Sequence, residues 1–283
     1  MSLAVSVPGS SANLGPGFDV LGMAVGLHVR MGVGVGGEGL STNHPAHEAF
    51  SSAGGVGDVW FESHLPSGRG LGFSGAAIVA GTILGLAVRD NVSADDLNRF
   101  IEMNRGEILA RSTAIEGHAD NVAASLHGGV VAVSDGRVVS VPVGMDARLL
   151  FWIPRSTTST AKSRSRLDAM VDRHDAVFNI GRTVLLIEGL RTGDAELIAL
   201  GTQDRLHQDV RLEAVPRSRE VRDVLVAEGV IASWLSGSGP TVAALCASDH
   251  VERIRSRSME LIGGDDGRLV EVAIDEIGAR QAT

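Results

Sequence analysis

The chain has 283 residues, of which 44% are hydrophobic and 21% charged, a composition typical of one large globular domain or two of ordinary size. The net charge of −9 disfavours binding to nucleic acids and to acidic membranes, because both repel an acidic surface. The single cysteine, Cys246, excludes an internal disulfide and a cysteine metal cluster, and the single lysine, Lys162, excludes a phosphate loop of the GxxxxGK type.

The first half of the chain is predicted to mix strands and helices. Ser93 followed three residues later by Asp96 is typical of a helix start, and residues 134–136 are typical of a hairpin turn. From the apolar pattern we expect strands at 3–8, 20–36, 59–65, 129–133 and 137–143, helices at 45–53, 74–88 and 94–111, and a short helical turn after Asn121.

The second half is predicted to be richer in helices, with a Ser/Thr-rich loop at 156–163. We expect strands at 149–153, 230–235, 241–247 and 268–273, and helices at 165–171, 175–191, 194–208, 217–228 and 249–262. Strands and helices come in runs without regular alternation, which predicts an α+β fold with a boundary near 145–150. No apolar run reaches the roughly 18 residues of a membrane span and no signal peptide is recognisable, so we expect a cytoplasmic protein.

The segment 66–81 is the strongest local signal of a binding site. A predicted strand precedes it, glycines occupy positions 68, 70 and 72, and an apolar helix follows. Backbone N–H groups at a helix N-terminus bind anions, and glycines allow a close approach, so this loop is predicted to hold phosphate with Ser74 beside it. A tight turn before a buried helix is the alternative.

The same loop also contains a GxGxxG pattern at 70–75, with Asp90 placed 20 residues after Gly70, as in dinucleotide-binding proteins. Only 14 residues separate Gly75 from Asp90, and a helix uses all of them. Because no room remains for the second strand of that fold, we disfavour a dehydrogenase.

Two further glycine-rich loops lie at 8–22 and 235–241. The first concentrates hydrogen-bonding side chains, among them Ser10, Ser11, Asn13 and Asp19, where glycine and proline fix the backbone. Either loop alone is compatible with an elaborate turn between strands. Three such loops in one chain predict a site that is assembled from distant segments.

Six segments, in chain order, resemble motifs of the GHMP-type small-molecule kinases, which include galactokinase, homoserine kinase, mevalonate kinase and phosphomevalonate kinase. Residues 8–22 match PxxSANLGPGFDxLG, 66–77 match PxGRGLGxSxAA, 116–123 match EGHxDNVA, 175–179 match DAVFN, 204–208 match DRLHQ and 236–241 match SGxGPT. The resemblance covers nearly the whole chain. It is strongest to the homoserine kinases.

This resemblance implies a two-domain kinase fold, with a half similar to domain 2 of ribosomal protein S5 at 1–147 and a ferredoxin-like half at 148–283. It implies ATP-dependent phosphorylation of a small alcohol, with Mg²⁺ as cofactor and L-homoserine as the expected acceptor. A homodimer is an expected assembly. Phosphorylation of another small hydroxy acid or alcohol, and ATP binding without catalysis, are the alternatives.

The resemblance also implies roles for individual residues. The phosphates are expected at ten consecutive or nearly consecutive positions: Pro66, Gly68, Arg69, Gly70, Leu71, Gly72, Phe73, Ser74, Gly75 and Ala76. Magnesium is expected on Ser74 and Glu116, with Glu107 in reserve. Catalysis is expected at Asp120, Asn121 and Ser74, where Asp120 orients the acceptor hydroxyl or accepts its proton.

The acceptor is expected to contact seven residues, of which Asp120 and Asn121 are also expected to act in catalysis: Asn13, Asp19, His118, Asp120, Asn121, Thr160 and Gly237. Arg164, four residues after Thr160, and Arg211, three residues after the DRLHQ motif, match family arginines and would hold a substrate carboxylate. The chain departs from the family at Phe73 and Gly75, where GLGSSAA is usual. A phenyl ring beside the phosphate loop is expected to narrow the site.

Overall fold

The structure, a computed structural model, describes residues 3–34 and 36–282. Val35, near the end of the strand expected at 20–36, lies outside the described residues. The first half contains β1 (Ala4–Ala12), β2 (Leu21–Val33), α1 (Pro45–Ser52), β3 (Val59–Ser63), α2 (Phe73–Arg89), α3 (Leu97–Glu116), α4 (Asp120–His127), β4 (Val130–Ser134) and β5 (Arg137–Val141).

The second half contains β6 (Ala147–Pro154), α5 (Thr160–Arg164), α6 (Arg173–Thr192), α7 (Ala195–Gly201), α8 (Gln208–Glu213), α9 (Pro216–Ala227), β7 (Ala232–Leu235), β8 (Val242–Ala247), α10 (Val251–Ile262), β9 (Gly267–Val272) and β10 (Arg280–Gln281). Among the described residues, no helix is both long and apolar enough to span a membrane.

Two antiparallel sheets organise the molecule, which confirms the expected α+β fold. The first sheet has the order β10-β1-β2-β4-β5, with β3 paired to the far end of β2, and the second has the order β7-β8-β6-β9. Asp90 is the C-cap of α2 and pairs with Arg89 at 2.7 Å. The helix fills the stretch after the GxGxxG pattern, so the dinucleotide interpretation is wrong.

Helix α2 lies at the centre of the first half. Its residues from Gly75 to Ala87 are buried, because they are apolar or small on every face of the helix. It packs against α1, α3, β1 and β2. A helix held on all sides fixes the position of its own N-terminus, and with it the loop that precedes it.

The C-terminal segment returns to the first sheet. Strand β10 pairs with β1, placing Gln281 opposite Val5. Asp275 anchors this segment, since its carboxylate accepts hydrogen bonds from Arg280 at 3.0 Å and from the Gly278 N–H at 2.8 Å. The division at 147/148 stays a prediction. A two-residue strand has no periodicity, so this return could not be predicted from the sequence pattern.

Two predicted helices of the second half are wrong. Residues 165–171 form turns and irregular backbone, and the helix in this region is instead α5, capped by the Ser159 side chain. The helix expected at 194–208 is two helices, α7 and α8. They are separated because the Asp204 carboxylate accepts the N–H groups of residues 206, 207 and 208 and so replaces helical hydrogen bonds.

Candidate active site

The three glycine-rich loops meet at one point between the two sheets, as the sequence predicted. The Ser236 hydroxyl, which follows β7, donates to the Gly70 carbonyl at 2.6 Å and lies 2.8 Å from the Ser11 hydroxyl at the end of β1. Trp234 donates its indole N–H to the same Ser11 hydroxyl at 3.0 Å. The side chains of Ser11, Trp234 and Ser236 are buried, so the junction joins the loops firmly.

Glycine is required at two positions of the phosphate loop. Gly70 has a φ of +72°, and a Cβ there would overlap the Ser236 carbonyl oxygen. Gly72 has a φ of +68°, and a Cβ there would overlap the Ser10 hydroxyl. Both the left-handed backbone and the close contact therefore exclude side chains.

The loop leads directly into the N-terminus of α2. The Ala76 N–H bonds to the Gly72 carbonyl at 2.9 Å, so the N–H groups of residues 73–75 precede the first turn of helical hydrogen bonds. Such a terminus favours anions. The Arg69 guanidinium is already engaged in structural hydrogen bonds, because it donates to the carbonyls of Pro154 and Arg155, both at 2.8 Å.

A cavity of about 240 Å³ opens in front of this terminus. Seventeen of the residues predicted to form the site line it: Asn13, Asp19, Gly68, Arg69, Gly70, Leu71, Gly72, Phe73, Ser74, Glu116, His118, Asp120, Asn121, Thr160, Arg164, Arg211 and Gly237. The residues predicted from distant parts of the chain are thus brought to one cavity.

Four predicted residues do not line it. Gly75 and Ala76 are buried inside α2, and Pro66 lies at a neighbouring depression beside Arg69. Glu107, the reserve magnesium ligand, lies on α3, where it pairs with Arg89 at 3.3 Å and Arg111 at 2.9 Å. Its carboxylate is an ordinary helix-surface ion-pair partner.

An acidic cluster occupies the end of α3 and the start of α4. Glu116 accepts a hydrogen bond from the Ser74 hydroxyl at 2.6 Å, and burial raises the pKa of the Glu116 carboxyl. His118 lies between the two acids, 3.3 Å from Asp120 and 3.9 Å from Glu116. The neighbouring Asp120 raises the pKa of His118, which favours its charged form.

Asn121 connects this cluster to the first loop. The Ser10 hydroxyl donates to the Asn121 side-chain oxygen at 2.9 Å, and the Asn121 N–H donates to the Asp120 carboxylate at 2.8 Å. Asp120 is 2% exposed. Its carboxylate is therefore held in one orientation beside the phosphate loop.

The opposite wall carries an ion pair between Asp19 and Arg164. Both guanidinium Nη groups of Arg164 contact the two Asp19 oxygens, one of them at 2.8 Å. Asn13 and Asp19 both have positive φ angles, of 73° and 59°, and the Asn13 side chain accepts the Asp19 N–H at 3.1 Å. The tight loop thus directs the Asp19 carboxylate toward the cavity.

Arg211 lies beside this pair and is 3% exposed. Its guanidinium donates to the Gly237 carbonyl at 3.1 Å and lies 3.2 Å from the His207 ring nitrogen. Burial, together with the charge of Arg164, lowers the pKa of Arg211 to about 10. An anion placed next to the two arginines would therefore be stabilised by both.

Sequence reasoning missed residues that support this wall. The Phe18 ring lies under both guanidinium groups, 5.5 Å from Arg164 and 5.3 Å from Arg211. The His207 ring, fully buried, contacts Phe18 at 5.2 Å and the Gly15 carbonyl at 2.8 Å. Phe18 belongs to the motif at 8–22 and His207 to the motif at 204–208. Their place in these motifs was the sequence signal that could have identified them.

Phe73, the departure from the family pattern, lines the cavity and packs sideways. Its ring meets His44 at 5.8 Å and Phe61 at 6.1 Å in edge-on geometry. His44 also caps α1, accepting the Ala46 N–H at 3.2 Å. The ring is thus part of an aromatic cluster on the outer side of the phosphate loop.

Comparison with known families agrees with these motifs. A family model described as the GHMP kinases N terminal domain matches residues 43–129, and one described as GHMP kinases C terminal matches residues 186–257. Together they include the phosphate loop, the acidic cluster, α8 and the loop after β7.

Curated relatives match over most of the chain. A homoserine kinase from Caldanaerobacter subterraneus is 36% identical over 88% of this chain and 85% of its own length. One from Desulfitobacterium hafniense is 34% identical over 97% of this chain and 98% of its own length.

Solved structures share the fold at lower identity. A homoserine kinase from Cytophaga hutchinsonii has a TM-score of 0.76 at 23% identity, over 99% of this chain and 96% of that chain. The mevalonate kinase of Methanococcus jannaschii has a TM-score of 0.65 at 11% identity, over 97% of this chain and 98% of that chain. The solved structures agree in fold, and the family models and curated relatives show that the chain belongs to the GHMP kinase family, in its homoserine kinase branch.

Proposed function

We propose that the protein transfers the γ-phosphoryl group of ATP to the side-chain hydroxyl of L-homoserine, giving O-phosphohomoserine, a step toward threonine. The observation that carries this proposal is the Asp19–Arg164 ion pair, which faces the phosphate loop across one cavity beside Arg211. The curated relatives named homoserine kinase support it.

The ion pair has the charge pattern of an amino-acid binding site. An α-amino acid carries a carboxylate and an ammonium group, and Arg164 and Asp19 offer the complementary charges. When such a zwitterion inserts between them, each lost contact is replaced by one of the same kind, so neither charge is left unpaired. Arg211 adds a second cation for the carboxylate.

The phosphate side provides backbone donors. The N–H groups at the start of α2, together with the left-handed glycines 68, 70 and 72, form a concave anion site for the triphosphate. Because these donors are fixed before the nucleotide binds, they stabilise the charge of the transferred phosphoryl group without reorganisation.

Magnesium would be held by Ser74 and Glu116. Among the described residues no group of three His, Cys, Asp or Glu side chains has the arrangement of a metal cage. Mg²⁺ in kinases takes one or two carboxylates and completes its shell with phosphate oxygens and water, so a hydroxyl and a carboxylate at 2.6 Å fit it. The ion supplies charge neutralisation of the phosphates when bound.

Asp120 would receive the acceptor hydroxyl. Its carboxylate is held by the Asn121 N–H and lies next to His118, so one orientation is preferred before substrate binds. We propose that Asp120 orients the hydroxyl toward the γ-phosphate and accepts its proton as the new phosphate ester forms.

The proposed activity is tested by measuring ADP release with ATP, Mg²⁺ and a panel of acceptors: L-homoserine, mevalonate, shikimate, pantoate and L-threonine. We expect saturable turnover with L-homoserine alone. Turnover with another acceptor would support kinase activity but contradict L-homoserine as the substrate. No turnover with any acceptor, while ATP still binds, would contradict kinase activity and favour a binding protein.

The magnesium assignment is tested by comparing Glu116→Gln with Glu107→Gln. We expect the first to raise the Mg²⁺ concentration for half-maximal activity by about tenfold, because a charged ligand is lost. The second, on the same helix but outside the cavity, should behave as wild type. The reverse result would move the metal site to Glu107.

A cytoplasmic location and a homodimer complete the proposal. Val177, Ile180 and Val184 are exposed on one face of α6, spaced three and four residues apart, as in a helix that packs against a partner. Light scattering should give twice the chain mass, and Ile180→Glu should give the monomer. Met259→Glu, at an exposed apolar residue of α10, is the control and should stay dimeric.

A further inference from the structure

A second and larger cavity, of about 680 Å³, lies in the second half of the molecule. It is formed between the end of β6, the segment 155–166 and the junction of α8 and α9. Thr158, Arg211 and Ser238 line both this cavity and the candidate active site. Its volume is in the range of small-molecule binding sites, of which about 300–1,000 Å³ is typical.

The second cavity carries uncompensated positive charge. Arg217 pairs with Asp266 at 2.7 Å, and Arg155 pairs with Asp265 at 2.6 Å. Throughout residues 3–34 and 36–282, by contrast, no carboxylate lies within ion-pair distance of Lys162 or Arg166, although both line the cavity. Two free cations on one wall favour an anionic ligand.

Arg211 adds a buried donor without a partner. Its side chain is nearly fully buried, and within the described part of the chain its Nε atom has no hydrogen-bond acceptor. A buried guanidinium N–H left unpaired is costly, so a ligand that supplies an acceptor oxygen would be favoured.

The remaining lining combines apolar side chains with hydroxyl groups. Trp152, Pro154, Val215 and Pro216 supply apolar surface, and residues 156–159 supply four Ser and Thr hydroxyls. A ligand that fits this lining has an apolar body and an anionic head group. A small zwitterion such as homoserine lacks the apolar body.

A short stretch of chain separates the two cavities. The Thr158 N–H donates to the Gly68 carbonyl at 2.9 Å, and its hydroxyl donates to the Gly239 carbonyl at 2.7 Å. Thr160 lies 3.3 Å from the Ser238 hydroxyl. A ligand on one side of this partition therefore contacts residues that also form the other side.

We propose that the second cavity is a binding site for a small organic anion with an apolar body, held by Lys162, Arg166 and Arg211. Occupancy of this site changes the acceptor side of the first cavity, because Arg211 belongs to both. The site is additional to the proposed kinase activity, and only its effect on the acceptor depends on that function.

The experiment uses 8-anilinonaphthalene-1-sulfonate as the probe, since it combines an aromatic body with an anionic sulfonate. Calorimetric titration of the full chain should give one site that saturating ATP and Mg²⁺ do not displace. The double variant Lys162→Ala/Arg166→Ala should bind the probe at least tenfold more weakly. Both side chains are exposed, so the melting temperature should be unchanged.

The matched control removes two exposed arginines far from the cavity, Arg137→Ala/Arg253→Ala, and should bind the probe as wild type does. Equal binding by both double variants, or displacement of the probe by ATP, would overturn the proposal. In steady-state assays the probe should raise the acceptor KM of the wild type and leave that of Lys162→Ala/Arg166→Ala unchanged. Since binding is measured without turnover, failure of the kinase assay would not be mistaken for failure of the site.

Discussion

The two walls of the active-site cavity are built in different ways. The proposed phosphate wall comes from one contiguous segment, 67–74, and presents backbone groups. The proposed acceptor wall presents the charged side chains of Asp19, Arg164 and Arg211, of which Asp19 and Arg211 are 192 residues apart. Local chain geometry decides the first wall, and tertiary packing decides the second.

This difference predicts opposite tolerances. A backbone-built anion site keeps its donors when side chains change, as with Phe73, but it cannot accept a Cβ where the chain needs glycine. A side-chain-built site loses its function with a single charged group, although the backbone around it is unchanged. Four substitutions test the contrast.

The largest effect is expected at Asp120, which lies between the two walls. Asp120→Ala should lower kcat about 1,000-fold, because loss of a positioned acid or base typically costs 10²–10⁴-fold. ADP release at saturating substrates measures it, with exposed Asp95→Ala as the control. Asp120→Asn retains an acceptor oxygen, so a smaller loss would assign orientation as the main role. A loss below tenfold for Asp120→Ala would remove this residue from the reaction.

Gly70→Ala should raise the ATP KM about 100-fold, since a Cβ at positive φ costs about 1–2 kcal/mol and the overlap with Ser236 adds to it. Gly136→Ala is a matched control. Gly136 has a φ of +71°, but no atom of residues 3–34 or 36–282 lies within contact distance of a Cβ added there. Equal effects of the two substitutions on ATP binding would show that tertiary contact at Gly70 is unimportant. Melting curves of the two variants would show how much each substitution destabilises the fold, and so separate backbone strain from a direct loss of ATP binding.

Arg211→Ala should raise the homoserine KM about 30-fold and leave the ATP KM within about twofold, because a charge-assisted contact of about 2 kcal/mol is lost on the acceptor wall alone. Steady-state kinetics with each substrate varied in turn measures the split. Arg219→Ala, at a half-buried arginine that pairs with Asp209 outside the cavity lining, is the control. Equal increases in both KM values would contradict the role of Arg211 in carboxylate binding.

The smallest effect is expected from Phe73→Ser, which restores the usual family residue. Its edge-on ring contacts are worth about 0.5–1.5 kcal/mol, so the melting temperature should fall by a few degrees. The ATP KM should change less than about threefold. Phe61→Ser, in the same cluster but outside the cavity lining, should match the stability loss. A tenfold change in ATP KM for Phe73→Ser alone would place the ring against the nucleotide.

The sequence by itself determined the fold class, most helices and strands, and the phosphate loop with its helix. These features depend on apolar periodicity and on glycine spacing, which act between residues close in the chain. The six motifs also contained fourteen of the predicted residues that line the cavity, and the spacing of family residues outside them added Thr160, Arg164 and Arg211. Helices were predicted wrongly where a side chain replaced backbone hydrogen bonds, as Asp204 does between α7 and α8.

Only the tertiary structure decided how distant charges are paired. Asp19 and Arg164 were each predicted to face the substrate, and the structure shows that they face each other. It also placed Phe18 beneath two arginines and returned the C-terminal segment to the first sheet. At the second cavity it left Lys162 and Arg166 without a carboxylate partner among the residues that the structure describes. The spacing of residues along the chain determines the geometry of a single helix or turn. The pairing of Asp19 with Arg164, which are 145 residues apart, depends on how the two sheets pack.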